Sequence, residues 1–123
     1  MLLDEATVTS LQKPGNGLGG LIRGIEKESL RVLGDGSLSQ APHPSGLGSA
    51  LTHRAITTDF SEAQLELITG TNTSPRSVLQ ELQDVHVVVQ RHLGDELLWP
   101  SSMPCILAAD QDQIPLGQYG RSN

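Results

Sequence analysis

Apolar side chains recur every three or four positions along one stretch of the chain, Val78, Leu82, Val85, Val89 and Leu93, which is the spacing that lines one face of an α-helix. Ser74 stands where an N-cap belongs, Pro75 suits the first helical position, and Gly94 stops the pattern. The spacing predicts a helix over 75–93.

Elsewhere the pattern is extended or broken. Residues 21–33, Leu-Ile-Arg-Gly-Ile-Glu-Lys-Glu-Ser-Leu-Arg-Val-Leu, form the first dense apolar stretch, closed by Gly34, Asp35 and Gly36 before a short run over 37–39. As strand, Asp-Gly turn and second strand they make a hairpin. As a helix, Ile22, Ile25, Ser29 and Val32 line up equally well. The strand reading sets Ile22, Gly24, Glu26, Glu28, Leu30 and Val32 on one face and Arg23, Lys27 and Arg31 on the other. Two carboxylates then share the more apolar side. Residues 40–53 are rich in Pro, Gly and Ser and read as a loop; 56–60 and 64–69 read as extended, with Gln64, Glu66 and Ile68 on one face. Residues 1–20 are expected to be a flexible leader with at most a short helix, and the chain beyond Trp99 to be irregular or briefly extended. The turn-like ending, 117–123, reads as a cut end.

At 123 residues the chain can build one core. That core is short of rings, since Phe60, Trp99 and Tyr119 are the only aromatics. Thirteen Gly and seven Pro point to turns and short strands rather than a helical bundle. Fourteen acidic against eight basic residues give a net charge of −6, and the basic ones are scattered singly, which argues against a nucleic-acid footprint. A single cysteine, Cys105, offers no internal disulfide and fits a reducing cytoplasm. The start, Met1-Leu2-Leu3 followed by Asp4 and Glu5, has no basic n-region, and the apolar runs are too short to span a bilayer.

Chemistry centres on oxygen donors. Glu26 and Glu28 alternate along one segment, and Asp59 and Glu66 offer two further carboxylates from nearby segments; such sets suit hard cations. By spacing alone the same pattern describes a solvated face. His53 is open to three readings, as ligand, phosphate contact or loop residue. His43, between two prolines, reads as loop, His86 and His92 as helix residues, and Cys105 as a small buried hydrophobe. Gly15, Gly17, Gly19 and Gly20 lack the strand and the Gly-Lys-Ser/Thr close of a phosphate loop.

Longer strings are more specific. Residues 23–32 (RGIEKESLRV), 48–53 (GSALTH) and 56–69 (ITTDFSEAQLELIT), then Gly94-Asp95-Glu96, 99–105 (WPSSMPC), Gln118-Tyr119-Gly120 and Ser122-Asn123 closely resemble, in order, the opening of the proteobacterial type of glutamate-cysteine ligase. The resemblance covers 21–123. It implies an α+β fold: the amino-terminal part of a glutamine-synthetase-like carboxylate-amine ligase, with antiparallel strands and one long helix, and so favours strand over helix for 21–33. It implies that Glu26, Glu28, Asp59 and Glu66 bind magnesium or manganese ions that bridge ATP phosphates, with His53 as a substrate or nucleotide contact. The implied partners are L-glutamate, L-cysteine, ATP and the remainder of the ligase chain, with no nucleic acid or membrane. The implied reaction is the first step of glutathione biosynthesis, in which ATP activates the glutamate side-chain carboxyl as an acyl phosphate. Because the family's chains are several times longer, residues 21–123 are expected to be a partial catalytic domain, inactive alone. Ala55 departs from the large aromatic of the family pattern. Alternatives are another ATP-dependent carboxylate-amine ligase, or a non-catalytic acidic binding module.

Overall fold

The computed structural model describes residues 4–12 and 20–118. The glycines at 15, 17 and 19 lie outside them, as does the ending read as a cut end from Tyr119 onward. The elements are helix α1 (Glu5–Gln12), strand β1 (Glu26–Val32), strands β2 (Ile56–Thr57) and β3 (Gln64–Ile68), helix α2 (Pro75–Gln90) and strand β4 (Leu97–Leu98), with 3-10 turns at Ser45–Leu47 and Gln111–Gln113. The fold is α+β. The sheet runs in the order β2-β3-β1-β4, with every neighbouring pair antiparallel.

Helix α2 begins as its sequence dictates. The Ser74 side chain accepts from Ser77 N at 3.3 Å, and Pro75 takes a first-turn position. It ends at Gln90, three residues short of the expected Leu93, and Gly94 leaves with φ +62°, a left-handed conformation that glycine tolerates best. In α1 the Asp4 Oδ1 accepts from Thr7 N at 2.7 Å, which caps the short helix.

The stretch expected as strand over 21–33 is regular strand only over Glu26–Val32. Before it, Arg23 and Asn72 exchange two backbone bonds of 3.0 and 2.9 Å, and Ile25 N donates to Thr69 Oγ1. The expected second strand of the hairpin reduces to one isolated Val32–Leu38 bridge. Two demands shorten it. Asp35 Oδ1 takes the Ser37 N–H and hydroxyl to tighten the turn, and Leu38 N turns outward to Ile106 O at 2.9 Å.

Two apolar clusters flank the sheet. Ile56, Leu65 and Leu67 face α2, where Val89 and Leu93 cover them, with Leu47 closing the edge. Val32, Leu38, Ala63 and Cys105 make a second cluster with Leu30, Trp99 and Ile114. Gly46 abuts the His92 ring so closely that an added Cβ would clash with it, which ties the 3-10 turn to the end of α2. Among the described residues no helix is long and apolar enough to cross a membrane.

The faces of β1 correct one expectation. Glu26 and Glu28 are exposed, with only Leu30 and Val32 covered farther along their face, whereas Ser29 and Arg31, on the side expected to be polar, are buried. β3 explains the reversal, because Leu65 and Leu67 lie opposite Ser29 and Lys27 and supply the apolar surface that β1 lacks there.

Candidate functional site

Sheet register builds the site. Glu28 of β1 lies directly opposite Glu66 of β3, and Thr57 of β2 flanks Glu66 on its other side. Glu26 is two residues from Glu28, hence on the same face. Like charges directly opposite on neighbouring strands repel, and nothing in a sheet's own stability favours placing them so. The electrostatics bear this out: the Glu66 carboxyl is pushed above its usual range by burial first, then by Glu28, Asp59 and Glu26 in that order. All four sequence-predicted carboxylates therefore act in one neighbourhood. Glu28 Oε2 also accepts from Gln64 Nε2 at 3.1 Å.

The neighbourhood is not a closed cage. Among the described residues no three His, Cys, Asp or Glu side chains converge to ion-holding geometry. Glu28 forms one wall of an open cleft of about 670 Å³, whose other walls include Leu30, Gln64, Trp99 and Met103. The Trp99 indole N–H is spent on Met103 O at 2.6 Å.

His53 has local duties. Its Nδ1 accepts from Ala55 N at 3.2 Å and Ile56 N at 3.0 Å, capping the entry to β2, which puts the neutral ring's proton on Nε2. It is not among the groups that act on Glu66. Cys105 is buried in the second cluster, as a packing residue should be.

Sequence reasoning missed the polar centre beneath the site. Arg31 is fully buried; its Nη1 donates to both Glu96 oxygens at 2.8 Å, and its Nη2 to Ala41 O and Glu62 O at 2.7 and 2.8 Å. The Ser39 hydroxyl also donates to Glu96. Glu62, 8% exposed, spends its carboxylate on His43 N and Gln118 N, both at 2.8 Å. Both His43 ring nitrogens are shielded from solvent. Burial and the nearby Arg31 charge hold that imidazole below its usual range, against a smaller opposing pull from Glu62. No local signal marked this centre: spacing alone put Arg31 on the polar face, and its burial, which demands a buried partner, is seen only in the fold.

Comparison with known proteins decides the family. The family model for glutamate-cysteine ligase matches residues 8–123. The chain belongs to that family. Among relatives, the glutamate-cysteine ligase of Alcanivorax borkumensis is 55% identical over 106 residues, covering 86% of this chain and 20% of that protein. The Sodalis glossinidius enzyme is 51% identical over 124 residues, covering 100% of this chain and 24% of that protein. The chain thus spans about a fifth to a quarter of the length of these relatives. Two solved structures share the fold. The Francisella tularensis glutamate-cysteine ligase, in complex with AMP, superposes with a TM-score of 0.75 at 38% identity, over 80% of this chain and 20% of that one. A bifunctional glutathione synthetase from Pasteurella multocida gives 0.74 at 40%, over 87% and 14%.

For a glutamate-cysteine ligase segment, the acidic face has donor chemistry that fits a divalent cation. Every candidate ligand is a carboxylate oxygen, the donor type hard cations take. Glu66 is raised by burial first and then by its acidic neighbours, and the repulsion from those neighbours is what a bound cation would relieve.

Proposed function

We propose that this chain is the amino-terminal part of a ligase that joins the side-chain carboxyl of L-glutamate to the amine of L-cysteine, using ATP, as the first step of glutathione synthesis. The observation that carries the proposal is the opposition of Glu28 and Glu66 across β1 and β3, with Asp59 and Glu26 acting on the same carboxyl. In this reaction the γ-phosphoryl of ATP passes to the glutamate carboxylate, giving an acyl phosphate and ADP; the cysteine amine then attacks the acyl carbon and phosphate leaves. Such a transfer gathers negative charge, and a magnesium or manganese ion held by Glu26, Glu28, Asp59 and Glu66 would supply the positive charge that offsets it.

In this account Glu26, Glu28, Asp59 and Glu66 hold the metal and do not attack substrate. The AMP bound by the Francisella tularensis relative supports ATP as co-substrate. His53 is proposed as a substrate or nucleotide contact through Nε2, the nitrogen left over from its backbone cap. The match to about a fifth of each relative supports a site completed by the remainder of the ligase chain, so 21–123 acts as a partial catalytic domain, inactive alone. The lone thiol fits a cytoplasmic setting.

The test is ATP-dependent formation of the glutamate-cysteine dipeptide by a full-length ligase carrying this chain as its amino-terminal segment. Glu66→Gln should lower turnover by about a hundredfold, equivalent to ~2.7 kcal/mol of barrier. Unchanged turnover would defeat the assignment of Glu66.

A further inference from the structure

Asp59 is the one member of the acidic set that lies in no strand. Something other than a ladder must hold it against Glu66. The residues just after it are tied from several directions. Phe60 O accepts from Gly117 N at 2.8 Å, and Ser61 bridges Leu116. Thr58 Oγ1, just before it, donates to Gln64 O at 3.0 Å.

Glu62 gathers these ties. Its N–H donates to Pro115 O at 2.9 Å, and its carbonyl accepts from Arg31 Nη2 at 2.8 Å. Its Oε1 accepts from His43 N and its Oε2 from Gln118 N. One buried residue thus joins β1, the 40–53 loop and the 115–118 segment to the turn that carries Asp59. Arg31 in turn is held by Glu96. Although acidic and only three residues from Asp59, Glu62 has both oxygens committed to backbone donors, so it is not built as a metal ligand.

We propose that Glu62, seated on Arg31, is a positioning residue for the metal-binding carboxylates: it fixes where Asp59 stands relative to Glu66. This rests on the metal reading above. Carboxylates that bind one metal set must converge, and the partners that orient metal ligands tune metal affinity as well as activity. Glu62→Gln keeps the shape but replaces one acceptor oxygen with a donor NH2, so one of the two backbone N–H groups loses its partner.

The experiment uses the full-length ligase and follows turnover against magnesium concentration, together with Mn2+ binding by electron paramagnetic resonance without substrates. Glu62→Gln should raise the magnesium midpoint and the Mn2+ dissociation constant about tenfold, with most turnover recovered at saturating metal. A merely structural role would scale turnover down equally at every concentration and leave both constants in place, and that result would overturn the proposal. If Glu62→Gln does not fold, Arg31→Lys serves: it keeps a charge facing Glu96 but cannot also reach the Glu62 carbonyl. Unchanged constants in folded Arg31→Lys would overturn the proposal equally. Glu28→Gln is run alongside. A shift there with none at Glu62 sinks the positioning role alone, whereas no shift at Glu28 removes the metal reading and the inference with it.

Discussion

Arg31 and Glu96, 65 positions apart in sequence, meet as a buried ion pair in which one guanidinium nitrogen donates to both carboxylate oxygens at 2.8 Å. Removing one partner strands the other charge. Glu96→Ala should therefore cost about 3–5 kcal/mol of stability, read as a lowered midpoint of chemical unfolding in the full-length ligase. A cost below about 1 kcal/mol, the range of exposed pairs, would show that the pair is solvated.

The shielded His43 ring makes a pH prediction. Its folded-state pKa lies below the usual 6.5, so the native state binds fewer protons than the unfolded chain. Stability is then lost as pH falls from 6.5 through the lowered value. His43→Gln should flatten that acid-side decline. An identical pH–stability slope in variant and parent would contradict the burial of a neutral imidazole.

Cys105 packs among Val32, Leu38 and Ala63. Cys105→Ala should cost about 1–2 kcal/mol of stability and leave most turnover intact. A loss of turnover above about a hundredfold in a folded variant would assign the thiol a chemical role.

The isolated 123-residue chain should melt without a sharp transition. Its sheet ends in two-residue strands, β2 and β4, and Ile22, Phe60, Met103, Ile106 and Leu116 are exposed, apolar surface that a self-contained domain would cover. Circular dichroism against temperature is the check; a sharp transition independent of protein concentration would refute it.

What could be read from the sequence follows from how local each signal is. Helix α2 was legible at its start, because cap, proline and apolar stripe lie within a few residues. Its end fell at Gln90, since Leu93 packs into the core from a turn. For β1 the residues suited helix and strand alike, and the family resemblance favoured strand. Its faces were misassigned because the apolar surface beside Ser29 and Lys27 belongs to β3. β4 is two residues long and carries no period. The four carboxylates were legible as a set; Arg31, Glu62 and Glu96 were not, because their partners lie 10 to 65 residues away.

The most direct measurement is turnover against magnesium concentration for Glu26→Gln and Glu28→Gln in the full-length ligase. Asp84→Asn serves as control, because Asp84 is an exposed carboxylate on α2, across the sheet from the acidic face. If the acidic face holds the metal, both Glu variants should lose at least about a hundredfold in turnover at low magnesium. Part of that loss should return at high magnesium or manganese, while Asp84→Asn follows the parent curve. Glu variants that match the Asp84 control at every concentration would show that the opposed carboxylates of β1 and β3 are a solvated face and not a metal site.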